Sequence, residues 1–215
     1  SKGQIDYYIG PETSLPGFGS ISERGFEQST LLNNVKDFLS KHPKSVFATG
    51  ISSHKFFQSN EQKPNAAYQV SDGSFVESYN SAVQIIPNQK VEVYHKGKLV
   101  PGVEIFPYIN VLKPILGDAM LNLGGATVSL GIDEERKVFS SPFNKGKLAP
   151  IICYESIYGE FVTDYVKKGA NFLAIMTNDS WWGVTQGHQQ LMSYAKLRAI
   201  ETRREIARSA NSGIS

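Results

Sequence analysis

The sequence predicts an α/β fold on three observations. Short β-branched and aromatic runs recur along the chain, stretches with helical spacing fall between them, and the length suits one ordinary domain. The 215 residues are 40% hydrophobic, enough to bury a substantial core. No repeat, low-complexity tract or linker divides them, so residues 1–215 are expected to form a single domain.

Ile5-Asp6-Tyr7-Tyr8-Ile9 reads as a strand running into Gly10-Pro11, which leaves Glu12 at its exit. Leu31, Leu32, Val35, Phe38 and Leu39 follow helical spacing, with Asn33, Asn34, Lys36 and Asp37 opposite, and this helix ends near His42-Pro43. Val46 to Ile51 is a second strand, whose apolar run predicts cover on both faces. Residues 54–73 are polar and turn-rich and are expected as an exposed excursion. Ser81 to Ile86 and Val91 to Tyr94 read as strands joined across Pro87-Asn88-Gln89-Lys90, a hairpin that delivers Lys96. Pro101, Pro107 and Pro114 with scattered glycines make 100–123 a long structured loop. Lys147 to Ile152 is a strand whose Pro150 predicts a place near the strand start or at a sheet edge, and Cys153 closes it. Glu160 to Lys168 is helical and stops at Gly169. Asn171 to Thr177 is a strand, and Gln189 to Arg204 a helix with Met192, Ala195 and Ala199 on one face.

The 22 Lys+Arg nearly balance 20 Asp+Glu, and a formal charge of +2 gives no field that would draw nucleic acid or anionic lipid. No run of about 18 apolar residues occurs, and the start lacks a charged segment followed by an apolar one. The chain as given therefore reads as soluble. A single cysteine forms no internal disulfide, and His42, His54, His95 and His188 have no zinc-site spacing, so no metal is expected.

A cysteine at a strand end before a helix meets free backbone N–H groups and a positive dipole end, which lowers the thiol pKa and supplies an oxyanion hole. Ile151-Ile152-Cys153-Tyr154-Glu155 fits that position, and so does an inert buried cysteine. Glu12 beside Pro11 suits a partly desolvated general base or a solvated loop acid. Lys96 suits an oxyanion-stabilising cation or a solvated strand-end charge. Trp181 and Trp182 suit an acyl pocket or plain packing, and a mixed role is expected. Arg198, Arg203 and Arg204 alternate with Glu201 and Glu205 at helical spacings, which predicts surface ion pairs rather than a headgroup site.

Taken in order, Glu12, Lys96 and Cys153 each follow a strand and resemble the Glu-Lys-Cys triad of the nitrilase, or carbon–nitrogen hydrolase, superfamily. Four separated words resemble its apolipoprotein N-acyltransferase branch: Gly10-Pro11-Glu12-Thr13-Ser14-Leu15-Pro16, Tyr94-His95-Lys96-Gly97-Lys98-Leu99-Val100-Pro101, Cys153-Tyr154-Glu155 and Asn178-Asp179-Ser180-Trp181-Trp182-Gly183. Arg208 to Ser215 resembles that family's strand after the last long helix.

The resemblance implies an α-β-β-α sandwich with Glu12 as general base, Lys96 as oxyanion cation and Cys153 as nucleophile. It implies that Tyr154 and Glu155 shape the pocket, with Glu155 orienting Lys96, and that Glu104 is a further essential acid. The family usually has an aromatic before the glycine where this chain reads Pro101-Gly102-Val103-Glu104, so an exposed loop carboxylate is the other reading of Glu104. The implied reaction moves an acyl chain from a phospholipid through a Cys153 thioester to the α-amino group of a diacylglyceryl-cysteine on an apolipoprotein, without a cofactor. It implies the periplasmic face of a bacterial inner membrane, reached through transmembrane helices that this chain lacks. Against the family's pattern the chain looks like an excerpt, incomplete at both ends and less stable than a whole domain. A soluble amidase of the same superfamily and a silent binding module are the rival expectations.

Overall fold

Two sheets lie face to face in the computed structural model, which describes residues 4–16, 19–105, 129–183 and 185–215. The first contains β1 (Tyr7–Ile9), β2 (Ile21–Ser22), β3 (Val46–Phe57), β4 (Tyr68–Gln69), β5 (Phe75–Ile85) and β6 (Glu92–His95). β3 and β5 form its antiparallel centre, in register from Phe47 against Ile85 to Phe57 against Phe75. β1 and β2 run parallel to β3, and β4 and β6 run antiparallel to β5. The second sheet has the order β10-β9-β8-β7, from β7 (Phe139–Ser140), β8 (Lys147–Ile152), β9 (Phe172–Asn178) and β10 (Glu205–Asn211). β8, β9 and β10 are parallel, so each return needs a crossover. α2 (Gly159–Lys167) and α3 (Gly187–Thr202) supply the crossovers.

Helix α1 (Thr30–Ser40) starts where the Ser29 hydroxyl accepts the Leu32 N–H at 3.2 Å. Its Leu32 and Leu39 pack with Ile51, Val83 and Ile85 of the first sheet. Phe161, Val162 and Tyr165 of α2, with Leu191 and Ala195 of α3, join the second sheet in a larger core. Ala48, Ala82 and Tyr94 of the first sheet enter that same core, and Tyr7 meets Phe172 edge-on at 4.8 Å. Helix, sheet, sheet and helix pair are therefore the layers of the expected α-β-β-α sandwich. No helix among the described residues is long and apolar enough to cross a membrane.

The structure corrects several expectations. The supposed excursion at 54–73 is partly sheet, because β3 continues to Phe57 and Tyr68–Gln69 pairs with Phe75 and Val76 of β5. Polar His54 and Lys55 are tolerated there because they face the partner strand's polar Ser78 and Glu77. The strand expected from Ser81 begins at Phe75, while the helix expected at Gln189–Arg204 runs Gly187–Thr202. The closing strand begins at Glu205 rather than Arg208 and ends at Asn211. Of the two places expected for Pro150, the strand start and a sheet edge, the edge is the one found, since Pro150 sits inside β8. Among the described residues β7 covers only Lys147 and Leu148, so that side of β8 is an edge by Pro150, where a missing N–H costs no ladder bond. The Tyr165 hydroxyl donates to the Pro150 carbonyl there at 3.1 Å. Of the loop expected at 100–123, residues 106–123 lie outside the described residues, and Val100 to Ile105 form a tight turn with Gly102 at φ +80°.

Candidate active site

Glu12 leaves β1 pressed onto β3, where a Cβ at Gly50 would lie 2.6 Å from the Glu12 Cα, so only glycine permits the approach. The Gly50 N–H donates to the Pro11 carbonyl at 3.0 Å and fixes the segment. Lys96 follows β6, its N–H donating to the Asn80 carbonyl at 2.8 Å. Strand alternation sends Lys96 to the side of Tyr94, between the sheets, and it is 0% exposed.

Burying an ammonium is costly unless it is paired. The Lys96 Nζ lies 3.1 Å from Glu12 Oε1 and 2.9 Å from Glu104 Oε1. Asn80 ties the two acids together, its Nδ2 donating to Glu12 Oε1 at 2.7 Å and to Glu104 Oε1 at 2.8 Å. The second oxygens are also met, Glu12 Oε2 by the Asn178 N–H and Glu104 Oε2 by the Val100 N–H, each at 2.8 Å. Burial pulls the Lys96 pKa down, but Glu12 and Glu104 outweigh it and hold the ammonium above its ordinary range. Glu104 thus enters the cluster despite the altered loop, because the turn closed by its own N–H to the Val100 carbonyl aims its side chain at Lys96. It is not an exposed loop carboxylate.

Cys153 is buried and stands at the turn out of β8, with φ +47°. That backbone costs on the order of 1–3 kcal/mol for a residue with a Cβ. A short 3-10 helix, Cys153–Ile157, follows, and Ser156 Oγ donates to the Cys153 carbonyl at 2.7 Å. The expected low thiol pKa is not found. Burial pushes Cys153 up to about 12, with the Glu12 charge adding to it and with Lys96 and the Thr177 hydroxyl opposing. The sequence argument fails because a single 3-10 turn offers little dipole and because two carboxylates, not one cation alone, surround the sulfur.

Glu155 is fully buried, and burial raises it to about 7 against the donors that meet it. Those donors are the Tyr94 hydroxyl at 2.6 Å and the N–H groups of Gly97 and Ile152, each at 2.7 Å. It therefore grips the backbone just after Lys96 and just before Cys153. None of these bonds reaches the Lys96 ammonium, so Glu155 acts on Lys96 through the N–H of the next residue, Gly97. Tyr154 is half-buried and meets Tyr158 edge-on at 5.5 Å, beside the turn rather than in the ion cluster.

Trp182 packs against the main core and covers Gly187, where a Cβ would strike its ring, so it serves packing. The Trp181 side chain lies outside the described residues. Arg198 is no surface residue: it is 3% exposed and reaches Glu201 at 3.0 Å from inside the α2–α3 packing. Arg203 closes α3 in a left-handed conformation, and Arg204 donates to the Ala170 carbonyl at 3.3 Å.

Sequence reasoning missed Asn80. A signal existed, since polar Glu77, Asn80, Ser81 and Gln84 punctuate a strand that is buried almost throughout. It also missed the buried pair of Asp179 with Arg208, 2.9 Å apart, which holds the turn after β9. Among the described residues no group of three or more His, Cys, Asp or Glu side chains could hold a metal ion.

Comparison with known proteins finds relatives along nearly the whole chain. A protein named apolipoprotein N-acyltransferase from Chlorobaculum tepidum is 29% identical over 98% of this chain and 39% of its own length. One of the same name from Vibrio vulnificus is 30% identical over 97% of this chain and 37% of its own. The chain thus spans less than two-fifths of these relatives. The solved structure of Saccharomyces cerevisiae Nit3, a nitrilase-superfamily member, superposes with a TM-score of 0.59 at 13% identity, over 96% of this chain and 62% of that one, a likeness of fold. The carbon–nitrogen hydrolase family model matches residues 1–214, and the chain belongs to that family.

Proposed function

We propose that this chain is the acyl-transfer domain of an apolipoprotein N-acyltransferase, working through a Cys153 thioester. The observation that carries the reading is the buried Lys96 held between Glu12 and Glu104 beside the chain's single cysteine. The match of 97–98% of the chain to relatives of that name supports the choice of reaction.

In the first half, Glu12 takes the Cys153 thiol proton as the sulfur attacks the ester carbonyl of a phospholipid. Lys96 and backbone N–H groups of the turn after β8 hold the oxyanion. Collapse breaks the ester C–O bond, the leaving lysophospholipid oxygen takes the proton from Glu12, and a thioester remains. In the second half, the α-amino group of a diacylglyceryl-cysteine attacks the thioester and gives its proton to Glu12. The C–S bond breaks, the amide forms, and the Cys153 sulfur recovers its proton. Glu104 keeps Lys96 charged and aimed, Tyr154 shapes the acyl pocket beside the turn, and Glu155 fixes both backbone turns. No cofactor enters. Both substrates belong to the periplasmic face of a bacterial inner membrane, and nucleic acid has no part.

The test is to incubate the full protein with a phosphatidylethanolamine of defined acyl chain and analyse Cys153 by mass spectrometry. A Cys153-linked acyl group that a diacylglyceryl-cysteine peptide removes is expected. Ready hydrolysis of small amides with no phospholipid turnover would replace this reading by an amidase. Neither activity would leave a binding module.

A further inference from the structure

His95 precedes Lys96 and points to the opposite face of β6, where both of its ring nitrogens meet carboxylates. Nδ1 lies 2.8 Å from Asp133 Oδ1 and Nε2 lies 2.7 Å from Glu23 Oε1. A neutral imidazole has one N–H, and two such contacts need two. The geometry is that of an imidazolium. The ring is buried and stacks on Tyr79 at 4.0 Å between centroids. Asp133 uses its other oxygen to accept the His95 backbone N–H at 2.9 Å, so one carboxylate grips both ring and main chain.

The charges around the ring come from every neighbouring element. Glu23 belongs to the 3-10 helix after β2 and also accepts Ser53 Oγ at 2.8 Å. Lys55 of β3 lies 3.4 Å from Glu23 and 4.9 Å over the Tyr79 ring. Glu77 of β5 accepts the Tyr79 hydroxyl, and Asp133 comes from the segment before β7. Burial pulls the His95 pKa down, and Asp133 and Glu23 more than restore it, leaving it above its ordinary value.

Lys96 therefore hangs between two backbone grips. Asp133 holds the N–H of residue 95 and Glu155 holds that of residue 97. We propose that His95 is a positioning residue for Lys96: pinned as an imidazolium between Glu23 and Asp133, it fixes the end of β6 at the place from which the Lys96 ammonium reaches Glu12 and Glu104. This rests on the roles proposed above for Lys96 and Cys153, and no bond to substrate is assigned to His95. When the ring loses a proton, one of the two carboxylate contacts loses its hydrogen, and the β6 end is held on one side only.

The sign follows from the raised pKa. The hold is complete at low pH and is lost as pH rises through the His95 titration, above 6.5. The measurement is the rate of Cys153 carboxamidomethylation by iodoacetamide in the full protein, wild type against His95→Gln, from pH 6 to 9. Taking the ratio cancels the general rise of thiolate with pH. A wild-type to variant ratio of about tenfold at pH 6, equal to about one pK unit of Lys96 influence on the thiol, is expected to fall toward one by pH 9. Asp133→Asn removes one anion from the ring and so lowers the pH at which His95 titrates, so the wild-type to Asp133→Asn ratio should also change between pH 6 and 9, a readout that stands even if His95→Gln fails to fold. A ratio that is constant with pH, or equal to one throughout, overturns the positioning role, as does a wild-type to Asp133→Asn ratio that does not change with pH. Because alkylation needs no lipid, a protein that shows the pH-dependent ratio but forms no thioester refutes the proposed reaction and leaves the role of His95 standing.

Discussion

Replacing Lys96 with Met keeps most of the side-chain volume and removes the one cation that, among the described residues, pairs with Glu12 and Glu104. Both Oε1 atoms stay within hydrogen-bond distance of Asn80 Nδ2, at 2.7 and 2.8 Å, so they lie at most about 5.5 Å apart. Two carboxylate charges at that separation repel by about 3 kcal/mol at an effective dielectric of ~20. Breaking a buried ion cluster by removing one partner costs about 3–5 kcal/mol in total. The variant's carboxylates would lower this cost by keeping a proton, which raises a folded-state pKa above its unfolded value. Such a group stabilises below its unfolded pKa and loses that contribution as pH rises through the folded one. The deficit should therefore be about 3–5 kcal/mol at pH 8 and visibly smaller at pH 5, read from urea unfolding of wild type and variant. Adding Glu104→Gln to Lys96→Met should recover about half of it, since a single acid then remains. A loss below about 1 kcal/mol at pH 8, or a deficit equal at both pH values, would refute the view that these charges are desolvated and mutually dependent.

Three further outcomes are expected. At pH 8 native Cys153, pushed up to about 12, should react with iodoacetamide at least about a hundredfold more slowly than the same thiol in the unfolded chain, where it ionises near 8.5; faster labelling of the native protein would show that burial does not dominate. Wild-type stability should fall as pH rises from 4.5 toward about 7, because Glu155 must ionise in a buried site. The upper bound is about 3 kcal/mol, and Glu155→Gln should flatten that slope in urea titrations. Asn80→Asp should cost more than Asn80→Leu at pH 8 and recover at pH 5, since it places a third carboxylate beside Glu12 and Glu104; equal losses at both pH values in thermal unfolding would speak against the bridging role.

The strand exits of Glu12, Lys96 and Cys153 were legible because apolar runs and their stopping signals are local properties, and so was the alternation that makes an α/β sandwich. The hydrogen bond from Asn80 to Glu12 spans 68 positions, and no local pattern states it. Arg198 was misread for a related reason. Its spacing from Glu201 is that of a surface pair, and only the packing of α3 against α2 shows that Arg198 itself is buried while Glu201 stays exposed. Polar His54 and Lys55 hid the continuation of β3, because a strand is set by its partner β5, which faces them with polar Ser78 and Glu77. The thiol was misjudged in sign because position at a helix start is local, whereas desolvation and the two facing carboxylates are tertiary.

A thiol near 12 beside an ionised acid looks unsuited to nucleophilic attack, yet part of that elevation is repulsion from Glu12 itself. In the proposed reaction the Cys153 proton goes to Glu12, so the repelling charge disappears in the same step that creates the thiolate. The cluster of Glu12, Glu104, Lys96 and Cys153 carries the same net charge before and after this transfer. The relevant quantity is therefore the affinity of the pair for one shared proton, a coupled titration rather than the separate acidity of the sulfur. Lys96 gains in the exchange, because the negative charge it faced on Glu12 moves to the sulfur and then to the oxyanion, while Glu104 and Asn80 keep the ammonium in place throughout. A resting site with a protonated thiol is thus compatible with catalysis, provided that the attacked carbonyl arrives before the proton leaves.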